Sequence, residues 1–200
     1  MQKLPARATR NGPDTPPRSR PAPATTVLVR SARDGNEHAF EELVRSHQDR
    51  SYLIALRLTG NSHDAQDAVQ EAFLKAWRGL AGFREDADFG TWLTRIVINC
   101  CHGQRRTQRP AEPLDETTPD STTPAADVIV ENQHRDRAAQ RAIAELSFDQ
   151  RSAFVLHIFA GHTHTEVGRI LGISEGAAKV RTHRARRAIA VVLQTWEEES

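Results

Sequence analysis

Two short groups of residues in this chain have side chains that could support metal or catalytic chemistry. One holds three histidines within eight residues, and the other holds two cysteines followed by a histidine. They are His157, His162 and His164, and Cys100, Cys101 and His102. Three such side chains could hold zinc. Histidines at a helix end or turn are nevertheless typical surface residues, and no catalytic triad spacing or glycine-rich phosphate loop is present. We therefore expect no enzyme, no metal and no cofactor, and a zinc assay tests this.

A third group, residues 175–187, is suited to contact with nucleic acid. It contains five Lys or Arg and one Glu. On a helix, one stripe faces inward, formed by Ala178, Thr182, Ala185, Ile189 and Val192. The opposite face carries Gly176, Lys179, Val180, His183, Arg184 and Arg187. The alternative is a solvated basic face on a structural helix.

Local signals place this helix in a larger motif. Ser147 with Gln150, and Thr163 with Glu166, have the spacing of helix-capping boxes. Gly172 follows a short amphipathic helix and suits a tight turn, after which Ser174 can cap the basic helix. A short helix, a glycine turn and a basic helix predict a helix-turn-helix that lies in a DNA major groove.

The N-terminal half contains three further helical patterns. The first ends at Gly60, and the second follows Ser62 with an apolar stripe from Ala65 to Trp77. The opposite face of this second helix is acidic, with one exposed leucine; it carries Asp64, Asp67, Gln70, Glu71 and Leu74. Such a face is either solvated surface or a protein-docking surface, and periodicity leaves both open.

The third pattern combines a basic helix with a loop before it. We expect the helix to start at Asp88, with Phe89, Trp92 and Leu93 inward. Its outer face or edge carries Thr91, Arg95, Asn99, His102, Arg105 and Arg106. The loop at residues 82–86 contains Phe83 and Arg84, which could stack on a base and contact a phosphate of single-stranded DNA. Alternatively, Phe83 and Trp92 belong to the core.

Composition divides the chain into four parts. Residues 1–25 are basic and rich in proline, which predicts a disordered tail that is solvated or touches nucleic acid weakly. Residues 26–109 and 133–196 predict two small all-α domains, and residues 110–132 predict a flexible acidic linker. No secretion signal or membrane-length apolar run is present, and the adjacent cysteines suit no disulfide, so we expect a reducing cytoplasm and no membrane insertion.

Three runs together resemble the extracytoplasmic-function (ECF) sigma factors, the smallest members of the sigma-70 family of bacterial RNA polymerase. Residues 58–77 resemble conserved region 2.2. Residues 83–84 and 89–99 resemble regions 2.3 and 2.4, and residues 173–187 resemble the recognition helix of region 4. The runs occur in the family's order, with a linker between the second and the third.

This resemblance implies a transcription-initiation factor that binds core RNA polymerase (beta-prime and beta subunits) and promoter DNA. Core-polymerase binding carries over to Asp64, Asp67, Gln70 and Glu71. Contact with the minus-10 element carries over to Phe83, Arg84, Arg95, Asn99, His102, Arg105 and Arg106. Contact with the minus-35 element carries over to Ser174, Gly176, Lys179, Val180, Arg181, His183, Arg184 and Arg187. Most relatives are restrained by an anti-sigma factor, so we expect that partner here as well.

The chain departs from the family pattern at a few positions. Val180 stands where a small polar residue is usual, Thr182 where a large apolar residue is usual, and Ser147-Phe148 where Leu-Pro is common. These positions limit any inference of the promoter sequence. The competing hypothesis is a stand-alone regulator that binds DNA through residues 163–190 alone, and it predicts tight duplex binding without polymerase.

Overall fold

The computed structural model describes residues 23–85, 87–107 and 140–199. Its first half comprises α1 (Pro23–Arg33), α2 (Glu37–Thr59), α3 (Ser62–Gly79), a 3-10 turn (Leu80–Gly82) and α4 (Phe89–Thr107). Its second half comprises α5 (140–145), α6 (Phe148–Phe154), a π turn (Val155–Phe159), α7 (His164–Leu171) and α8 (Glu175–Glu199). These ranges contain no strand, which confirms the all-α prediction. The acidic linker at 110–132 lies outside them.

Two helix starts differ from the sequence-based expectation. The first helix begins at Pro23, inside the segment assigned to the tail. Proline is well suited to the first helical position, because its fixed φ fits the helix and no N–H is needed there. Helix α3 is capped by Asn61 rather than by Ser62, since the Asn61 side chain accepts a hydrogen bond from the Asp64 amide. Ser62 is therefore the first helical residue.

Alanines on α3 allow α2, α3 and α4 to pack closely. Every residue of the inward α3 stripe Ala65, Ala68, Ala72 and Ala76 is completely buried. Larger side chains of α2 and α4 fill the adjoining space, among them Leu43, Leu58, Leu93, Val97 and Cys101. Small residues at a helix contact shorten the distance between the helix axes. This core fixes the outward directions of the α3 and α4 side chains.

The second half packs α5 and α6 on one end of α8, and α7 on its other end. Ile143, Leu146, Phe154, Ala185 and Ile189 form one buried cluster. Val167 and Ile170 of α7, with Ala178 of α8, join the large core cluster that includes the first half. The two halves of the described chain therefore share buried contacts. Within the described ranges, no helix combines the length and apolar character that a membrane crossing requires.

Candidate nucleic-acid interface

The predicted helix-turn-helix is formed by α7, a short turn and α8. Thr163 and Glu166 make the reciprocal capping box expected for α7. Gly172 ends α7 with φ 68°, a left-handed conformation that favours glycine. A side chain at Gly168 would also place its Cβ 2.8 Å from the Ile173 carbonyl oxygen. Gly168 and Gly172 thus allow the tight turn between the two helices. Ser174 Oγ accepts a hydrogen bond from the Ala177 amide and caps the start of α8.

The two faces of α8 follow the predicted stripe. Ala178, Thr182 and Ala185 are buried, and Ile189 is nearly so. The opposite face is exposed along its length; it presents Gly176, Lys179, Val180, His183, Arg184 and Arg187. An exposed row of cations on the second helix is the arrangement that contacts phosphates beside a major groove.

Glu175, Lys179 and Arg181 of α8 have partners among the described residues. Lys179 Nζ lies 2.6 Å from Glu175 Oε1, and this hydrogen bond, with a second one from Thr165, lowers the pKa of the Glu175 carboxyl. Arg181 is half-buried and pairs with Asp149 of α6 at 2.8 Å. Arg181 therefore links α8 to α6, whereas Arg184 and Arg187 have exposed side chains.

The histidines do not form a metal cluster. His157 and His164 stack with ring centroids 3.9 Å apart. Burial, then the charge of His157 and that of Lys179, lowers the pKa of His164. Across the described ranges, no three His, Cys, Asp or Glu side chains are positioned to hold a metal ion. His162 instead faces Arg50 of α2.

The acidic face of α3 points away from the core. Asp67, Gln70 and Glu71 are exposed, and Leu74 is 57% exposed. Asp64 is half-buried, and its carboxylate accepts from the Asn61 side chain at 2.6 Å. Asp64 therefore also has a structural role at the start of α3.

An apolar groove lies beside this acidic face, and sequence analysis did not find it. It runs between α2 and α3 and is lined by Phe40, Val44, Phe73, Leu74 and Trp77, with Glu37, Glu41 and Gln70 at its rim. Phe40 and Val44 fit a core pattern in the sequence. A groove between two helices has no periodic signal of its own, so the sequence could not reveal it.

In the loop and helix assigned to the minus-10 element, the Phe83 ring is buried rather than exposed. Phe83 is 6% exposed, and its ring packs against Trp92 at 4.9 Å and Phe89 at 6.2 Å. In this conformation the Phe83 ring is packed as the core alternative expects, and its contact with the minus-10 element stays a prediction. The cause is a three-ring cluster that Phe83 of the loop forms with Phe89 and Trp92 at the start of α4. Arg84, Arg95 and Asn99 are exposed as expected.

The remaining residues of that assignment lie near or beyond the described part. His102 stacks on Phe148 of α6, with ring centroids 4.7 Å apart. The side chains of Arg105 and Arg106 lie outside the described residues. In this conformation the second half of the chain therefore covers part of the outer face of α4.

Three arginines join the two halves along a seam that the sequence did not predict. Arg151 is 4% exposed and donates to the Leu58 carbonyl at 2.7 Å. Arg50 donates to the Ala160 carbonyl at 2.8 Å, and its guanidinium lies 3.1 Å from His162 Nε2. Arg57 lies 3.8 Å over the Phe159 ring. Burying an arginine requires such acceptors, because an unpaired buried charge is costly.

Comparison with known proteins agrees with this geometry. The family models for Sigma-70 region 2 and Sigma-70 region 4 match residues 43–110 and 136–189. The chain is 36% identical over 163 residues to the ECF RNA polymerase sigma factor SigM of Mycobacterium tuberculosis, covering 80% of this chain and 79% of that protein. It is 33% identical to the RNA polymerase sigma-H factor of Pseudomonas aeruginosa, covering 84% and 92%.

A solved structure shows the same similarity in three dimensions. The structure of CnrH in complex with the cytosolic domain of CnrY superposes with a TM-score of 0.66 at 27% identity, covering 86% of this chain and 98% of that chain. The chain thus contains the two sigma-70 regions in order, with a helix-turn-helix in the second, and it matches its relatives along most of their length. The chain belongs to the ECF family of RNA polymerase sigma factors.

Proposed function

We propose that this sigma factor binds core RNA polymerase through α3 and directs it to promoters read at two elements. The observation that carries this proposal is the pair of exposed, oppositely charged faces on one chain: the acidic face of α3 and the basic face of α8. In this proposal the chain supplies recognition, and the core enzyme supplies the polymerisation chemistry. We accordingly propose a cytoplasmic, non-enzymatic protein.

Core-polymerase binding is assigned to Asp67, Gln70 and Glu71, with Leu74 as an apolar contact and Asp64 at the edge. Leu74 is exposed where the acidic face of α3 meets the apolar groove, and exposed apolar side chains in such patches favour protein contacts. The rim residues Glu37 and Glu41 extend the negative charge onto α2. A basic helical partner fits this surface, and we propose the beta-prime subunit for it, with further contacts to beta.

Promoter contact is assigned to two surfaces. The minus-35 duplex is assigned to α8, through Lys179, Val180, His183, Arg184 and Arg187, with Ser174 and Gly176 at its start and Arg181 as a supporting residue. The minus-10 element is assigned to Arg84, Arg95, Asn99 and His102, together with Arg105 and Arg106. Exposed cations supply phosphate contacts, and Val180 offers an apolar contact to a base edge.

We propose domain limits of 26–109 and 133–196, extended at the N-terminus by the first residues of α1, with an acidic tether between them. An anti-sigma factor is proposed as a further partner. The similar protein CnrH was solved with the cytosolic domain of CnrY bound, which supports a protein partner here. A stand-alone regulator is not favoured, because the Sigma-70 region 2 match would then have no purpose.

The decisive experiment is co-elution with purified bacterial core RNA polymerase on a sizing column. Asp67 has one weak neighbour, His63 at 3.9 Å on the same helix, and half of its side chain is exposed. Asp67→Lys should therefore abolish co-elution and leave the helical spectrum intact. Glu145→Lys, the same charge change at an exposed position of α5, is the matched control and should still co-elute. Co-elution of Asp67→Lys at wild-type stoichiometry would contradict the assignment of α3.

A further inference from the structure

The loop after α3 is tied to α1 by arginine contacts. Arg33 Nη1 donates to the Phe83 carbonyl oxygen at 3.0 Å, and Arg33 Nη2 lies 3.3 Å from Glu85 Oε1. Arg30 Nη2 lies 3.4 Å from Glu85 Oε2. Both carboxylate oxygens of Glu85 are thus engaged by one helix. These contacts join parts of the chain 50 to 55 residues apart in sequence.

The loop backbone has a conformation that needs such support. Glu85 has φ 58°, and it is the sole non-glycine residue with positive φ among the described residues. A left-handed backbone is unfavourable at a residue with a side chain, because the Cβ comes too close to the following carbonyl oxygen. It persists only where surrounding contacts determine it. Here the Phe83 ring is held in the core on one side, and the Glu85 carboxylate is held by α1 on the other.

Arg84 lies between these two fixed residues, and its side chain is exposed. From this arrangement we infer that Arg30 and Arg33 are positioning residues, which hold the 83–85 loop in the shape that presents the Arg84 guanidinium to a base edge of single-stranded minus-10 DNA. The inference rests on the proposed function. It assigns a role to α1, which lies before the segment that matches the Sigma-70 region 2 model.

Arg33 carries more of this role than Arg30. Its side chain is 34% exposed, against 64% for Arg30, and it alone reaches a backbone carbonyl. Exposed ion pairs contribute little to stability, so loss of Arg30 should have a small effect. A charge-assisted hydrogen bond to a backbone carbonyl contributes more, because its geometry is fixed at both ends. Lysine at position 33 would keep the charge but could not bridge the carbonyl and the carboxylate together.

The experiment is run-off transcription by reconstituted holoenzyme from a duplex library randomised at the minus-35 and minus-10 positions. Sequencing of the transcribed templates gives the base preference at each position. The variants are Arg33→Gln, Arg33→Lys and Glu85→Gly. Arg45→Gln is the matched control, because Arg45 is an exposed arginine that pairs only with Glu41 and Glu42 of its own helix among the described residues.

We expect Arg33→Gln to reduce base preference at the minus-10 positions about tenfold, the value for loss of one charge-assisted hydrogen bond. The minus-35 preference and core co-elution should stay unchanged, and the thermal midpoint should fall only slightly, because one part-buried hydrogen bond is lost. Arg33→Lys should be intermediate. Glu85→Gly should resemble Arg33→Gln, because glycine accepts the backbone but removes the carboxylate.

Two outcomes would overturn the inference. One is an unchanged minus-10 profile in Arg33→Gln and Glu85→Gly. The other is an equal loss at both elements with a lowered thermal midpoint, which would mean that α1 only stabilises the fold. Failure of the wild-type holoenzyme to transcribe any template is a distinct result. It would overturn the proposed function and, with it, this inference.

Discussion

Arg181 and Arg184 are three residues apart on α8, yet their environments differ. Arg181 pairs with Asp149, whereas the Arg184 side chain is exposed and makes no such pair among the described residues. Residue type and spacing could not separate them, because both fit a basic helix face. The partner on α6 becomes visible only when the two helices are packed.

This difference predicts distinct effects of alanine substitution on promoter binding. Arg184→Ala should weaken holoenzyme binding to a duplex carrying the minus-35 element and reduce the slope of log K against log salt by about 0.9, since one phosphate contact is lost. Arg181→Ala should reduce the slope less and lower stability by about 0–1 kcal/mol, as expected for a partly exposed ion pair. Filter binding at several salt concentrations measures the slopes. Equal slopes for wild type and Arg184→Ala would remove Arg184 from the phosphate contacts.

The adjacent cysteines are protected by the core. Cys100 is 1% exposed and Cys101 is completely buried. Burial raises the pKa of the Cys101 thiol to about 12, and it raises the pKa of Cys100 as well. Both side chains are therefore neutral thiols at neutral pH, and they act as apolar core residues.

We therefore predict that neither thiol reacts with a thiol-specific chromogenic reagent in the folded chain at pH 7. Both should react in denaturant, which is the control. The raised pKa also makes folding less favourable from about pH 9 upward, because the unfolded chain ionises its thiols first, and this loss continues as pH rises to about 12. Rapid labelling of the native protein would show that α4 opens locally.

At the scale of elements, the turn between α7 and α8 depends on backbone space rather than on side-chain contacts. A Cβ at Gly168 would lie 2.8 Å from the Ile173 carbonyl oxygen, which is backbone and cannot rotate away. A Cβ at Gly176 would meet nothing closer than Ser174 Oγ at 4.0 Å. Gly168 and Gly176 therefore have opposite tolerances for a side chain.

Accordingly, Gly168→Ala should destabilise the second half by about 1–3 kcal/mol through overpacking. Gly176→Ala, the matched control, should be neutral or stabilising by up to about 1 kcal/mol, because alanine is the better helix former. Thermal or urea unfolding of the full chain measures both. A Gly168→Ala protein as stable as wild type would show that the turn can widen without cost.

At the scale of the whole molecule, the described conformation brings both halves together. His102 stacks on Phe148, and Arg50 and Arg151 donate across the seam. An α4 face in contact with the second half cannot also lie against DNA. In the proposed function, contact of His102 with the minus-10 element therefore requires the halves to part.

We predict that binding of core polymerase opens this seam. Dyes attached through Gln66→Cys on α3 and Ala190→Cys on α8, both exposed positions, should show high energy transfer in the free chain and low transfer in holoenzyme. The native cysteines should remain unlabelled because they are buried. Arg50→Ala should lower transfer in the free chain, since two seam hydrogen bonds are lost. Equal transfer in the free and bound states would contradict opening.

The sequence by itself determined the features that depend on local spacing. Helix periods, the Thr163–Glu166 capping box, the Gly172 turn and the buried stripe of α8 were predicted and are confirmed, because each is written within a few residues. The all-α class and the sigma-70 relationship follow from the same runs. The start of α1 was not predicted, because its first residue, Pro23, belongs to a proline-rich segment, and such composition predicts a disordered tail.

Tertiary structure decided everything that joins residues far apart in sequence. It paired Arg181 with Asp149 and tied Arg33 to the 83–85 loop. It also formed the groove beside α3 and the seam between the halves. These contacts depend on helix packing angles and on side-chain directions in three dimensions. Periodicity fixes which face of a helix is apolar, but it does not fix which partner that face meets.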